Sequence, residues 1–154
     1  MKLVIGLGNP GKEYDGTRHN VGRDFASYAQ GHTTEVFMNN SGLAVRKLLE
    51  QKKLTPEDLI IAHDDLDIEF GKFKISFNRN AAGHHGIESI IASLKTKAFW
   101  RLRIGTASPR LRSARIAGKV SDFVLSKFTS TERHELTAIF QKALAELQDR
   151  FPHA

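Results

Sequence analysis

Residues 3–20 read LVIGLGNPGKEYDGTRHN, and the fold follows from how this stretch divides. Leu3, Val4 and Ile5 form an uninterrupted apolar run, the pattern of a strand buried on both faces. Gly6, Gly8, Pro10 and Gly11 break it at once, so a loop begins where the strand leaves the core. Asn9 stands among these breakers, and His19 follows one short polar segment later. An amide that donates and accepts, and an imidazole that titrates near neutral pH, are thereby delivered to one edge of a sheet. The string Gly6-Leu7-Gly8-Asn9-Pro10-Gly11 also fits the dinucleotide pattern G-x-G-x-x-G. That reading needs a helix to open inside the loop, so that its amides meet a pyrophosphate. Pro10 removes an amide, residues 12–20 lack helical periodicity, and no second strand ending in an acid arrives about twenty residues later. The stretch is therefore read as a strand with a reactive loop, and no nucleotide cofactor is expected.

With 154 residues, the chain suits one domain over 1–154 and is too short for two ordinary ones. Its 40% hydrophobic content is that of a globular protein. No apolar run approaches the roughly eighteen residues that span a bilayer, and Met1-Lys2-Leu3 leads straight into the first strand, so neither signal peptide nor membrane anchor is expected. Cysteine is absent, which removes disulfides and thiolate zinc sites and suits the cytoplasm or an organellar matrix. The net charge of +6 is unevenly spread. Between residues 89 and 121 stand eight basic residues (Lys95, Lys97, Arg101, Arg103, Arg110, Arg112, Arg115, Lys119) and no Asp or Glu. Such a block is either a solvated face or the footprint of a polyanion such as RNA.

Outward from the opening stretch, residues 20–30 place Val21, Phe25 and Tyr28 on one helical face. Residues 33–38 are a brief β-prone run, and Ser41 is positioned to cap a helix through Leu43, Val45, Leu48 and Leu49. Residues 58–63 read as a second buried strand that closes on Asp64, Asp65 and Asp67. Residues 71–77 alternate as a strand with one wet face, and 84–94 read as a helix. Residues 99–104 form a third core strand stopped by Gly105, followed by a basic loop to Lys119. Thr129 and Glu132 make a capping box for a last helix whose stripe is Leu136, Ile139, Phe140, Ala143, Leu144 and Leu147. Alternating strands and helices predict an α/β three-layer sandwich with a mostly parallel central sheet flanked by helices. Ligands in such sheets bind beyond the C-terminal strand ends, where Asn9, Asn39 and Asp64 each fall.

A neutral histidine can take a proton from water if a carboxylate holds its other nitrogen and stabilises the imidazolium. His19 with Asp64 is such a pair, and Asn9 and Asn39 can fix a carbonyl or a nucleotide hydroxyl. No Ser, Cys or Lys stands in a nucleophile motif, so attack by activated water is the simplest hydrolytic scheme. The same acids and His63, His84 and His85 could be read as metal ligands. Neighbours on a strand point to opposite faces and no H-E-x-x-H pair is present, so no metal is expected.

GLGNPG at 6–11 and TRHNVG at 17–22 are followed by FMNNSG at 37–42, HDDLD at 63–67, FWRLRIG at 99–105 and VSDFVLSKF at 120–128. In this order they resemble the motifs of the bacterial-type peptidyl-tRNA hydrolase family over nearly the whole chain; the middle ones are similar to its F-M-N-x-S-G, H-D-E-L-D and F-x-R-L-R-I-G. The resemblance implies hydrolysis of the ester between a peptide and the 3′ end of tRNA, without metal or cofactor. It casts His19 as general base and Asp64 as its orienting carboxylate, with Asn9 and Asn39 around the water. Tyr14, Phe37, Met38, His84 and His85 would position substrate. Lys74, Arg103, Arg110, Arg112, Arg115 and Lys119 would contact tRNA, the residues around 107–119 forming a flexible lid.

Three departures stand out. The loop NRNAAGHHG replaces a glycine-rich segment ending G-G-H-N-G, so His85 takes the place of an Asn. The span from His19 to Phe37 is shorter by about two to three dozen residues than the resemblance implies, which removes a strand pair after the first helix. The lid reads TASPRLRSARIAGK instead of a glycine- and proline-rich segment. A shortened sheet needs covering, which points to a ribosome or another RNA–protein assembly as a partner. The alternative function is a catalytically weak or inactive relative that binds RNA or the ribosome.

Overall fold

The computed structural model describes residues 2–152. The strands are β1 (Leu3–Gly6), β2 (His32–Thr33), β3 (Leu59–Glu69), β4 (Phe73–Phe77) and β5 (Trp100–Ala107). They form one sheet in the order β2-β1-β3-β5-β4, parallel except for β4, which runs antiparallel to β5. The helices are α1 (Val21–Tyr28), α2 (Ser41–Lys52), α3 (His85–Leu94), α4 (Pro109–Ile116), α5 (Val120–Val124) and α6 (Ser130–Arg150).

The alternation within β3 builds the three layers. Ile60 and Ala62 pack on one face with Val21 and Phe25 of α1 and Ile139, Phe140 and Leu147 of α6. Leu59 and Ile61 pack on the other face with Val45 and Leu49 of α2 and Ile87 and Ile90 of α3. Because side chains alternate along a strand, a continuous apolar run is what a doubly covered strand requires. At Gly22, α1 lies so close to β3 that an added Cβ would stand 2.1 Å from the Ala62 carbonyl oxygen. That approach sets the depth of the turn that carries His19. The capping box of α6 forms as expected, with Thr129 Oγ1 accepting from Glu132 N–H and Glu132 Oε1 accepting from Thr129 N–H.

Several expectations are corrected. The strand expected at 33–38 shrinks to His32–Thr33, because Glu35 adopts a left-handed φ of 53° that ends the extended chain. Asn40, not Ser41, is the N-cap of α2; Ser41 Oγ–H donates back to the Met38 carbonyl at 2.7 Å. β3 continues past His63 through the acids to Glu69, because β5 goes on pairing alongside it, Asp64 against Ile104 and Asp65 against Gly105. Gly105 therefore does not stop β5. It lies where the register of β3 shifts, and a Cβ there would meet the Glu69 carbonyl oxygen at 2.2 Å. The basic stretch expected as a loop to Lys119 is largely helical: Pro109 opens α4 with its preset φ, and buried Leu111 and Phe123 pin α4 and α5 to the body.

Candidate active site

His19 lies in a 3-10 turn, Arg18–Asn20, just before α1. Its neighbour Arg18 is fully buried and anchors the turn. Arg18 Nη2 donates to Glu132 Oε1 at 2.7 Å, and Nη1 donates to Ser126 Oγ at 2.8 Å and the Lys127 carbonyl at 2.6 Å. The guanidinium also lies 4.7 Å from the ring centre of Phe123. With α1 seated on Gly22, this holds His19 beside Asp64 of β3.

There His19 Nδ1–H donates to Asp64 Oδ2 at 2.8 Å. The other carboxylate oxygen, Oδ1, accepts from His84 Nε2–H, also at 2.8 Å. The tautomer of His84 follows from its second contact. Its Nδ1 accepts from the Ile87 backbone N–H at 3.2 Å and so carries no proton, which leaves Nε2 as the donor. Asp64, 3% exposed, thus receives one imidazole N–H on each oxygen. Burial would raise its pKa, yet His84 and His19 together hold it well below the usual carboxylate range. At His19, burial disfavours the imidazolium but the charge and hydrogen bond of Asp64 outweigh it, so its pKa is raised from 6.5. With Nδ1–H committed to Asp64, Nε2 is left as an acceptor. The His19 and His84 rings lie 5.3 Å apart on a cleft of about 250 Å³ that Asp65, His85, Arg115 and Val124 also line.

Asn9 is buried, and its place is fixed by Asn20, which the sequence reading did not single out. Asn20 grips the Asn9 backbone from both sides, accepting from its N–H at 2.8 Å and donating to its carbonyl at 2.9 Å. Asn9 Oδ1 accepts from Met38 N–H at 2.8 Å, so its Nδ2 is the end left to donate. Asn39 is exposed in the turn Met38–Asn40, and its carbonyl accepts from Ser89 Oγ. Asn9 and Asn39 flank Met38 and lie outside the cleft lining. Met38 itself is buried in the core, so it acts through its backbone rather than by touching substrate as expected. Tyr14 and exposed Phe37 pack edge to face at 6.1 Å.

His85, the departure in the loop, stands on the cleft rim with its side chain exposed and paired with Glu88 at 3.0 Å. It leaves the His19–Asp64–His84 centre undisturbed. Of the basic residues, Lys74, Arg110, Arg112, Arg115 and Lys119 are exposed. Arg103 is a correction: it is 4% exposed, with Nε donating to Asp65 Oδ2 at 2.8 Å and Nη1 to Ser76 Oγ at 3.2 Å, so it braces the strand rather than the surface. His19, Asp64 and His84 also present ligand atoms within 4.8 Å of one another. A cation there would have to displace the protons that both imidazoles aim at Asp64.

A three-layer α/β domain in which the turn before α1 and the strap before α3 bring two histidines onto a carboxylate of β3 defines a protein equipped for general-base chemistry. The peptidyl-tRNA hydrolase family model matches residues 3–35 and 31–151, and the chain belongs to that family. It is 38% identical to a peptidyl-tRNA hydrolase of Aquifex aeolicus, covering 94% of this chain and 86% of the relative. A Listeria monocytogenes relative of the same name is 35% identical, covering 97% of this chain and 91% of its own length. The crystal structure of peptidyl-tRNA hydrolase from Acinetobacter baumannii superposes with a TM-score of 0.83 at 29% identity, over 99% of this chain and 91% of that one. The alignment with the Aquifex relative runs over 171 positions, more than the 154 residues here, so this chain lacks a stretch which that relative has. The two family matches meet at residues 31–35, at the short strand β2. No helix among the described residues is long and apolar enough to cross a membrane.

Proposed function

We propose that this member of the family, as one domain over residues 1–154, cleaves the ester between peptide and tRNA with His19 as general base. The observation that carries the reading is the 2.8 Å bond from His19 Nδ1–H to a carboxylate whose other oxygen is already satisfied by His84. His19 Nε2 takes a proton from water, and the oxygen attacks the ester carbonyl. The bond to the tRNA 3′ oxygen then breaks, and the imidazolium returns its proton to that oxygen. The products are tRNA with a free 3′ hydroxyl and the peptide carboxylic acid, which releases its remaining proton to solvent as the carboxylate. Asp64 stabilises the imidazolium during the step. Asn9, through its free Nδ2, and exposed Asn39 are suited to hold the ester and the terminal nucleotide beside it. His85 lines the cleft, and the Tyr14–Phe37 pair is assigned to the substrate on the side of Met38.

Exposed Arg110, Arg112 and Arg115 lie on α4, Arg115 at the cleft itself, and Lys119 follows in the next turn. We assign the tRNA phosphates to this helix, with Lys74 as a further contact on the edge strand. A role in the cytoplasm or an organellar matrix, recycling tRNA from stalled ribosomes or another RNA–protein assembly, accords with the cysteine-free sequence and the basic helix.

The test is release of peptide from purified N-acyl-aminoacyl-tRNA. His19→Ala is expected to abolish turnover and keep tRNA affinity. Replacing Arg110, Arg112 and Arg115 with Gln is expected to raise KM and lower the salt dependence of binding by about 0.7–0.9 per lost phosphate contact, with kcat little changed. A wild-type protein that binds tRNA but releases no peptide would instead identify an RNA-binding relative.

A further inference from the structure

Arg101 of β5 is 1% exposed, and among the described residues no carboxylate is hydrogen-bonded to it. Asp65, whose charge reaches it, is already bound to Arg103. Arg101 Nη1 donates instead to two successive backbone carbonyls, Arg79 at 3.1 Å and Asn80 at 3.0 Å, and its Nε has no partner among the described residues. A buried cation held by carbonyls alone is costly, and burial lowers the pKa of Arg101 to about 10. Such an arrangement is a poor way to add stability, so what it holds in place matters.

The two carbonyls belong to the irregular strap 78–84 that joins β4 to α3. The strap contains two non-glycine residues with left-handed φ, Asn78 at 58° and Ala82 at 50°, so its path is not one the chain adopts by default. Its other ties include Lys97 Nζ to Asn80 Oδ1 at 3.0 Å, Asn78 N–H to the Phe99 carbonyl at 3.4 Å, and the packing of Ala81 on the core beneath α3. The strap ends on His84, whose backbone N–H reaches back to the Ala81 carbonyl at 3.0 Å and whose ring holds Asp64 Oδ1. His63 lies beneath it, 1% exposed, its ring edge-on to His84 at 4.8 Å and its Nδ1–H given to the Asp64 carbonyl. Burial, His84 and Arg101 all disfavour a charge on His63. The Asp64 carboxylate is thereby left to His19 and His84 alone.

We propose that Arg101 is a positioning residue of this hydrolase: by gripping the strap at residues 79 and 80 it sets His84 against Asp64 Oδ1, and so fixes the orientation in which Asp64 Oδ2 meets His19. The inference rests on the reading of His19 and Asp64 as base and carboxylate. It makes the strap, rather than the surface, the point at which the substituted loop of this chain acts on catalysis.

Arg101→Lys keeps the charge but replaces the planar fork with a single ammonium. It is expected to lower kcat about tenfold with KM changed less than about twofold, and Arg101→Met to lower kcat about a hundredfold. In a His84→Ala background, Arg101→Lys is expected to cost less than about twofold, because the residue it acts through is gone. An equal loss in both backgrounds would show a role in the fold alone and overturn the inference, as would a change confined to KM. A strap variant, Asn80→Gly with Ala81→Gly, leaves Arg101 intact and is expected to reproduce the kcat loss; full activity in it counts against the proposal. Imidazole NMR keeps the two readings apart. Loss of the hydrogen-bonded His84 Nε2–H signal in Arg101→Lys supports positioning even if His19→Ala leaves turnover intact and the base assignment fails. An unchanged signal refutes positioning whatever the activity.

Discussion

Replacing Asp64 with Asn keeps the size of the side chain and removes its charge. Each oxygen of Asp64 accepts from one imidazole, so an amide turned either way sets its NH₂ against one N–H. His84 cannot resolve the clash by moving its proton, because Nδ1 is committed to the Ile87 N–H. His19 can change tautomer, but Nε2 then carries the proton and no longer accepts one from water. The charge itself is also lost. At an effective dielectric of about 20, an imidazolium and a carboxylate about 4 Å apart attract by about 4 kcal/mol. The reaction needs that attraction only when His19 becomes charged, so it appears in the barrier and corresponds to about a thousandfold in kcat. The assay is multiple-turnover release of peptide from N-acyl-aminoacyl-tRNA across pH, alongside thermal melting. In the wild type, kcat/KM should rise with pH as His19 loses its proton, with a midpoint above 6.5. In Asp64→Asn only the burial at His19 remains, so the midpoint should move below 6.5. A folded Asp64→Asn protein that retains more than about a tenth of wild-type kcat, or keeps the same midpoint, would refute the assigned roles.

Arg18→Ala removes one partner of a buried ion pair and frees the turn that bears His19. It is expected to cost about 3 kcal/mol, a fall of roughly 6–12 °C in melting temperature, together with a loss of kcat. A melting curve within about 2 °C of wild type would show that Glu132 does not need it. Asp24 in the first turn of α1 has its pKa raised from 3.8 to about 6, chiefly by burial and against the pull of Arg23. The folded protein therefore binds more protons than the unfolded chain between about pH 4 and 6, and stability falls as pH rises through that window. Asp24→Asn is expected to stabilise by about 1–2 kcal/mol at pH 7 and by little at pH 4, measured by urea denaturation at both. An equal gain at both pH values would remove the assigned cause.

Local patterns carried much of this protein. Apolar runs at 3–5 and 59–62 specify buried strands because only a doubly covered strand tolerates side chains of one kind on both faces. The capping box at Thr129 and Glu132 and the stripe of α6 are satisfied within a few residues of sequence, so they form as read. Asn9 and His19 were legible because the loop that leaves a parallel strand starts at one edge of the sheet, and Asp64 because a run of acids follows the apolar residues 59–62. Partnership across the chain was not legible. The pairing of β5 decides that β3 continues through its acids, and Glu35 decides that β2 ends after two residues. His84 looks like any polar residue ahead of a helix until the strap 78–84 brings its ring to Asp64. Arg103 and Arg101 read as surface charge because charge has no period that reports burial. Only the packed sheet shows that both point inward, one to a carboxylate and the other to bare carbonyls. Sequence determines what each segment can be on its own, whereas a hydrogen bond between residues 20 to 114 positions apart exists only once the core has closed around it.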